Sequence, residues 1–132
     1  MLLNFLSTPN QNASTQCSLK ETTECELTKQ ADHMSVQFLQ NIELEEELKL
    51  RITANKNLKI EKMWVQGVNM FMGKTAVLID SSYQGSNDII HDATLFLGAC
   101  SEPNMKWQLV IQTANSEQTK QSWFFNFATD RK

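Results

Sequence analysis

No run of about 18 apolar residues occurs in this chain, so no stretch is built to cross a bilayer as a helix. Basic residues are not in excess either: 12 Lys and Arg stand against 15 Asp and Glu, a net charge of −3. That balance lacks the clustered positive charge that nucleic acids and anionic lipid surfaces select. Signatures of catalysis are missing as well. There is no phosphate-cradling glycine loop, no H-E-x-x-H and no serine elbow with a histidine and an acid behind it. The acidic run from Glu43 to Glu47 has no neighbour that would tune a carboxylate, and it reads as a solvated turn. These absences predict a protein that is not an enzyme and has no nucleic-acid partner.

Cysteine is sparse, with three in 132 residues. Cys17 and Cys25 lie in a polar stretch with no histidine nearby, which favours a disulfide across a short turn over a zinc site. Two free thiols in a reducing compartment are the alternative. Cys100 is left over, and an unpaired thiol in an oxidising compartment needs a role or a burial site. The opening Met1-Leu2-Leu3-Asn4-Phe5-Leu6 is too short for a signal peptide and lacks its basic flank. We expect residues 1–15 to be a flexible tail, the remnant of a trimmed signal or anchor, and residues 16–130 to form one domain.

What is present is alternation. Met34, Val36 and Phe38 repeat every second residue, as do Leu48, Leu50 and Ile52, and then Met105, Trp107, Leu109 and Ile111. A period of two is the mark of a half-buried strand. Further strands are expected near 58–65, over Thr75–Ile79 as a buried inner strand, over Ala93–Leu97 and over Ser122–Ala128. Asn55 and Asn57 predict a turn, Ser81–Asp88 a loop, and Asn115–Gln121 a hairpin connection. Trp107, Trp123, Phe124, Phe125 and Phe127 are expected in the core, while His33 and His91 are expected on the surface. Seven or eight short strands without an amphipathic helix predict an all-β, antiparallel, immunoglobulin-like sandwich.

Two of the four glycines bracket Gly67-Val68-Asn69-Met70-Phe71-Met72-Gly73. In an extended segment Met70 and Met72 share a face. Cys100 and Met105 follow, leading into Trp107. One thiol and three thioethers are soft ligands that suit Cu(I) and disfavour Mg²⁺ or Ca²⁺. The plainer reading is that the methionines pack beneath Trp64 or Trp107 and that Cys100 is a buried thiol. A Cu(II) site at His91 beside Asp92 is a more distant option. Pro103 bends the chain before the Trp107 strand, and irregular segments collect at the ends of a sandwich. The two stretches are therefore expected to meet at one end.

The paired cysteines, the G-x-N-M-x-M-G stretch at 67–73, the C-x4-M-x-W run from Cys100 to Trp107 and the closing Phe125-Asn126-Phe127-Ala128-Thr129 together resemble a family of small exported proteobacterial proteins. Members of that family are often tethered by one N-terminal membrane segment. More distantly the chain is similar to the FixH-like and YtkA-like periplasmic immunoglobulin-type domains. The resemblance implies a periplasmic location, an inner-membrane tether in a longer form, and a link to copper handling and cytochrome oxidase assembly. It departs from the pattern at Lys74-Thr75 and in a long 81–88 loop. Two functions are then expected. The first is a Cu(I)-binding protein using Met70, Met72, Cys100 and Met105, serving a respiratory-oxidase assembly or copper-efflux partner. The alternative is a metal-free, membrane-anchored interaction module that docks a partner on an exposed sheet edge.

Overall fold

The computed structural model describes residues 16–20, 22–69, 73–98 and 104–130, and these contain strands and turns but no helix. The described residues form ten strands: β1 (Gln16–Ser18), β2 (Cys25–Lys29), β3 (Asp32–Phe38), β4 (Glu47–Asn55), β5 (Lys59–Gly67), β6 (Lys74–Ala76), β7 (Leu78–Gln84), β8 (Asp88–Phe96), β9 (Asn104–Ala114) and β10 (Lys120–Asp130). They make two five-stranded sheets, ordered β2-β3-β4-β8-β7 and β1-β10-β9-β5-β6. From β4 onward the chain alternates between sheets as the B to G strands of an immunoglobulin domain do, with β6 as an added edge. The expected sandwich is thus formed, with more strands than the seven or eight anticipated. One pairing is not antiparallel: β1 runs parallel to β10, Cys17 lying opposite Phe125.

The alternation that predicted the strands also builds the core. Met34, Val36 and Phe38 of β3 and Leu48, Leu50, Ile52 and Ala54 of β4 point inward and are fully buried. Leu109, Ile111, Trp123 and Phe125 face them from the other sheet, and Phe38 meets Phe127 edge to face across the sandwich at 5.2 Å. Burying an indole requires a partner for its N–H. Trp107 donates to the Thr129 hydroxyl and Trp123 to the Thr113 hydroxyl, each at 3.0 Å. Both threonines stand on strands facing their tryptophans across the β9–β10 pair, so one sheet supplies donor and acceptor.

Three expectations fail, each for a physical reason. Thr75–Ile79 is not one inner strand: the chain leaves one sheet after Ala76, buries Val77, and enters the other sheet at Leu78. Ser81–Asp88 is not a loop, because β7 continues to Gln84 and β8 starts at Asp88, leaving a tight turn closed by Gly85 N–H donating to the Asp88 carbonyl. Its Ser and Gln side chains mark an edge strand in water rather than a loop, since turn-forming composition and a solvated strand look alike. Phe124 points away from the core, as the alternation between Trp123 and Phe125 requires.

The remaining turns follow their residues. Asn115 caps the β9–β10 connection, its side-chain oxygen accepting from the N–H groups of Glu117 and Thr119. Asn55 donates to the buried Asp32 carboxylate at 3.0 Å and accepts from the His33 N–H, tying the start of β3 to the end of β4.

Candidate functional site

The described ends of the two soft-ligand stretches meet. Gly67 lies opposite Trp107 in the β5–β9 register, and the Val68 N–H donates to the Lys106 carbonyl at 2.8 Å. Asn69 then extends the pairing with its side chain, accepting from the Lys106 N–H and donating to the Asn104 carbonyl, both at 2.9 Å. An amide can do both at once, and so can replace a strand residue where the backbone turns away. Gly73, at φ +74°, closes the stretch in the left-handed region that glycine tolerates. These residues sit where β5 ends and β9 begins, at one end of the sandwich.

Of the four candidate ligands, Met105 alone is among the described residues; Met70, Met72 and Cys100 lie outside them. Met105 is 0% exposed and belongs to the inward row with Trp107, Leu109 and Ile111. Among the described residues no group of three or more His, Cys, Asp or Glu is arranged to hold a metal ion. Cys17 and Cys25 are at disulfide distance, their Cα atoms 6.2 Å apart, a separation typical of such bonds. The link joins β1 of one sheet to β2 of the other.

His91 is a correction. It is 7% exposed rather than on the surface, because residues 91, 93 and 95 of β8 all face inward. Asp92 points to the opposite face and is held by Arg51 at 2.9 Å, a bond that raises the Arg51 pKa further. Adjacent strand residues on opposite faces cannot share an ion, so a His91–Asp92 copper site is ruled out by the pleat. The His91 Nδ1 is 2.7 Å from the Ser82 hydroxyl, while its Nε2 is buried without a hydrogen-bond partner among the described residues. Burial pushes its pKa down. His33, on the outer face, pairs with Asp88 at 3.2 Å.

The surface feature that sequence reasoning missed is the β7 edge. Every residue of β7 is exposed, and the strand pairs on one side alone, with β8. Leu78 is 64% exposed, Phe96 52%, Tyr83 45% and Ile79 41%, so four of the six large exposed hydrophobics among the described residues stand on β7 and β8. The register places Leu78 beside Thr94 and Tyr83 beside Ile90, on the outer face. Ile79 faces the inside, opposite Ala93, yet stays exposed because the opposite sheet ends in the three-residue β6. A register shift between Ile79 and Ser81 marks a bulge at Asp80, whose carboxylate accepts from the Thr94 hydroxyl and lies 3.7 Å from the Lys49 ammonium. The apolar doublet Leu78-Ile79 and the tyrosine four residues on were the available signal, hidden by the serines between them.

Comparison with protein-family models, with curated proteins and with solved structures finds no match. The fold defines an immunoglobulin-like β-sandwich, and β7 is the longest of its free edges among the described residues.

Proposed function

We propose that the protein is a non-enzymatic interaction module that binds an extended segment of a partner along the free edge of β7. The observation that carries this reading is the edge itself: seven exposed residues, unpaired on one side, with Leu78, Tyr83 and Phe96 on one face. Such an edge offers backbone N–H and C=O groups for strand addition, and alternate side chains of the guest meet the apolar face. The competing edges are shorter: β1 and β6 have three residues each and β2 has five. The bulge at Asp80 interrupts the ladder, a device that protects edges from indiscriminate pairing, so the guest pairs with β7 on both sides of it and its apolar residues meet Leu78 on one side and Tyr83 on the other. The expected guest carries apolar residues at alternate positions and no charge facing the strand. The disulfide pair supports an oxidising compartment such as the periplasm.

The test is NMR titration with a set of defined extended peptides of alternating apolar pattern. Binding should shift the β7 amides first and be lost in Leu78→Asp/Tyr83→Asp, whose exposed positions leave the fold intact. Peptides that bind but perturb β2 or β6 instead would refute the proposal, as would a full set without binding.

A second reading, Cu(I) binding at Met70, Met72, Cys100 and Met105 for a copper-efflux or oxidase-assembly partner, is favoured by one observation. Asn69 bonds the two ligand-bearing stretches together at one end of the sandwich. Titration with Cu(I) against a competing chelator decides it. A Met70→Ala/Met72→Ala variant that binds as tightly as the parent sinks this reading.

A further inference from the structure

We propose that Ser82 and His91 form an acid-released latch that holds β7 on its sheet, so that the docking edge is ordered at neutral pH and freed in acid. The value of the latch for docking rests on the reading of β7 given above; the latch itself does not.

The argument starts from the edge. Strand β7 is entirely exposed and has no neighbour on its outer side, so few contacts resist its peeling away. Strands of this kind open first, at a fraction of the global unfolding free energy. On its inner face the side-chain hydrogen bond that ties it to β8 is Ser82 to His91, at 2.7 Å. His91 is buried one strand in, and its Nε2 has no partner among the described residues.

Protonation changes this arrangement in one direction. Neutral imidazole has one N–H, and burial leaves one ring nitrogen unsatisfied at moderate cost. Imidazolium has two N–H groups and a full charge, and the buried second N–H has no acceptor among the described residues. Among the described residues the hydrogen-bond partner of His91 is Ser82, and no ionisable group pairs with it. His91 is flanked in the β4–β8 and β7–β8 registers by Ile52 and Ser82, with Ala93 next on its own strand. The inward residues of the opposite sheet include Met63, Val65, Ile111 and Thr113, none of which titrates. Lys29 lies on the inward row of β2, three strands from β8, donates to the Ser122 carbonyl and, as a cation, cannot compensate an imidazolium. The charged pairs of this sheet, Arg51 with Asp92, Lys49 with Asp80 and His33 with Asp88, project from the outer face. Asp32 is the buried carboxylate among the described residues, but it sits at the start of β3, two strands from β8, and is held by Asn55. Opening β7 lets water reach the imidazolium, so acid favours the open strand.

The sign follows from linkage. A histidine whose folded pKa is lowered contributes stability that is complete above its ordinary value near 6.5. That contribution is lost as pH falls from there toward the lowered value. Within that window the opening equilibrium of β7 should rise about tenfold per pH unit, because opening takes up one proton.

The experiment is amide hydrogen exchange of the full chain, expressed as protection factors, at several pH values between about 7.5 and about 5. The His91 ring is followed by NMR in the same samples. Protection over Leu78–Gln84 should fall with His91 protonation while that of β3 and β4 holds. Ser82→Ala, a change at an exposed position, should lower β7 protection at neutral pH without moving β3 or β4. His91→Phe should make β7 protection independent of pH. The latch is overturned if β7 and β4 lose protection together, if Ser82→Ala leaves β7 protection unchanged, or if β7 keeps its pH dependence in His91→Phe. It is overturned too if His91 titrates at or above its ordinary value. A peptide binder then separates the two proposals. Acid opening without any peptide affinity keeps the latch and removes the docking reading, whereas peptide affinity without acid opening does the reverse.

Discussion

Cutting the Cys17–Cys25 link should cost the protein about 2.6 kcal/mol, because the link closes a short loop in the unfolded chain. The two residues are eight apart in sequence, and the chain-entropy relation for a loop of that size sets the figure. The structure says why the loss should be felt by the whole domain. Strand β1 has three residues on β10, in parallel register from Phe124 to Asn126, and is otherwise held by the Leu19 N–H on the Asn126 carbonyl. Cys25, at the head of β2, and Leu19, just after β1, both belong to the buried core. The link therefore ties the edge of one sheet to the edge of the other at a point where few other bonds do. For a domain of this size 2.6 kcal/mol corresponds to a fall in Tm of about 10 °C and a urea midpoint lower by about 1–2 M. The assay compares the parent, with and without reductant, against Cys17→Ser/Cys25→Ser. Reductant should bring the parent to the midpoint of the variant and leave the variant where it is. Alkylation of the unfolded parent should modify one cysteine, Cys100, without reductant and all three with it. A loss below about 1 kcal/mol would refute the loop-entropy argument for this link. Three modified cysteines without reductant would refute the link itself, and the oxidising compartment with it.

Other outcomes follow from particular contacts. Asn69→Ala removes both side-chain bonds across the 67–69 and 104–106 stretches and should cost about 1–2 kcal/mol, since these bonds are solvent-exposed. Exchange at the Lys106 amide should rise at the same time. Leu50→Ala, in the fully buried row of β4, should cost about 2–5 kcal/mol by urea denaturation, the range for a leucine cavity that cannot collapse. Thr113→Val strands the buried Trp123 N–H and should cost about 1–3 kcal/mol. The double change Thr113→Val/Trp123→Phe should then cost clearly less than its two parts summed, and strict additivity would show that the bond contributes nothing.

The sequence alone determined the class of fold and most of the core. Burial on one face of a strand imposes a period of two, and the rows through Val36, Leu50 and Leu109 carry that period openly. It also pointed to Cys17 with Cys25, because a polar stretch without histidine leaves few uses for two cysteines, and it brought 67–69 toward Trp107 through the breaks at glycine and proline. Tertiary structure alone decided the rest. Whether a strand lies inside a sheet or at its rim depends on what the chain places beside it, and nothing local to 78–84 records that β6 is too short to cover it. Leu78 and Ile79 therefore looked buried and the serines after them looked like a loop, when both belong to one edge strand. His91 went to the interior for the same reason: its alternation with Ala93 and Leu95 assigns a face, but the partner strands β4 and β7 decide that this face is buried. Parallel pairing of β1 with β10 is likewise invisible in sequence, since it depends on where a three-residue strand finds a free edge after the remaining nine have packed.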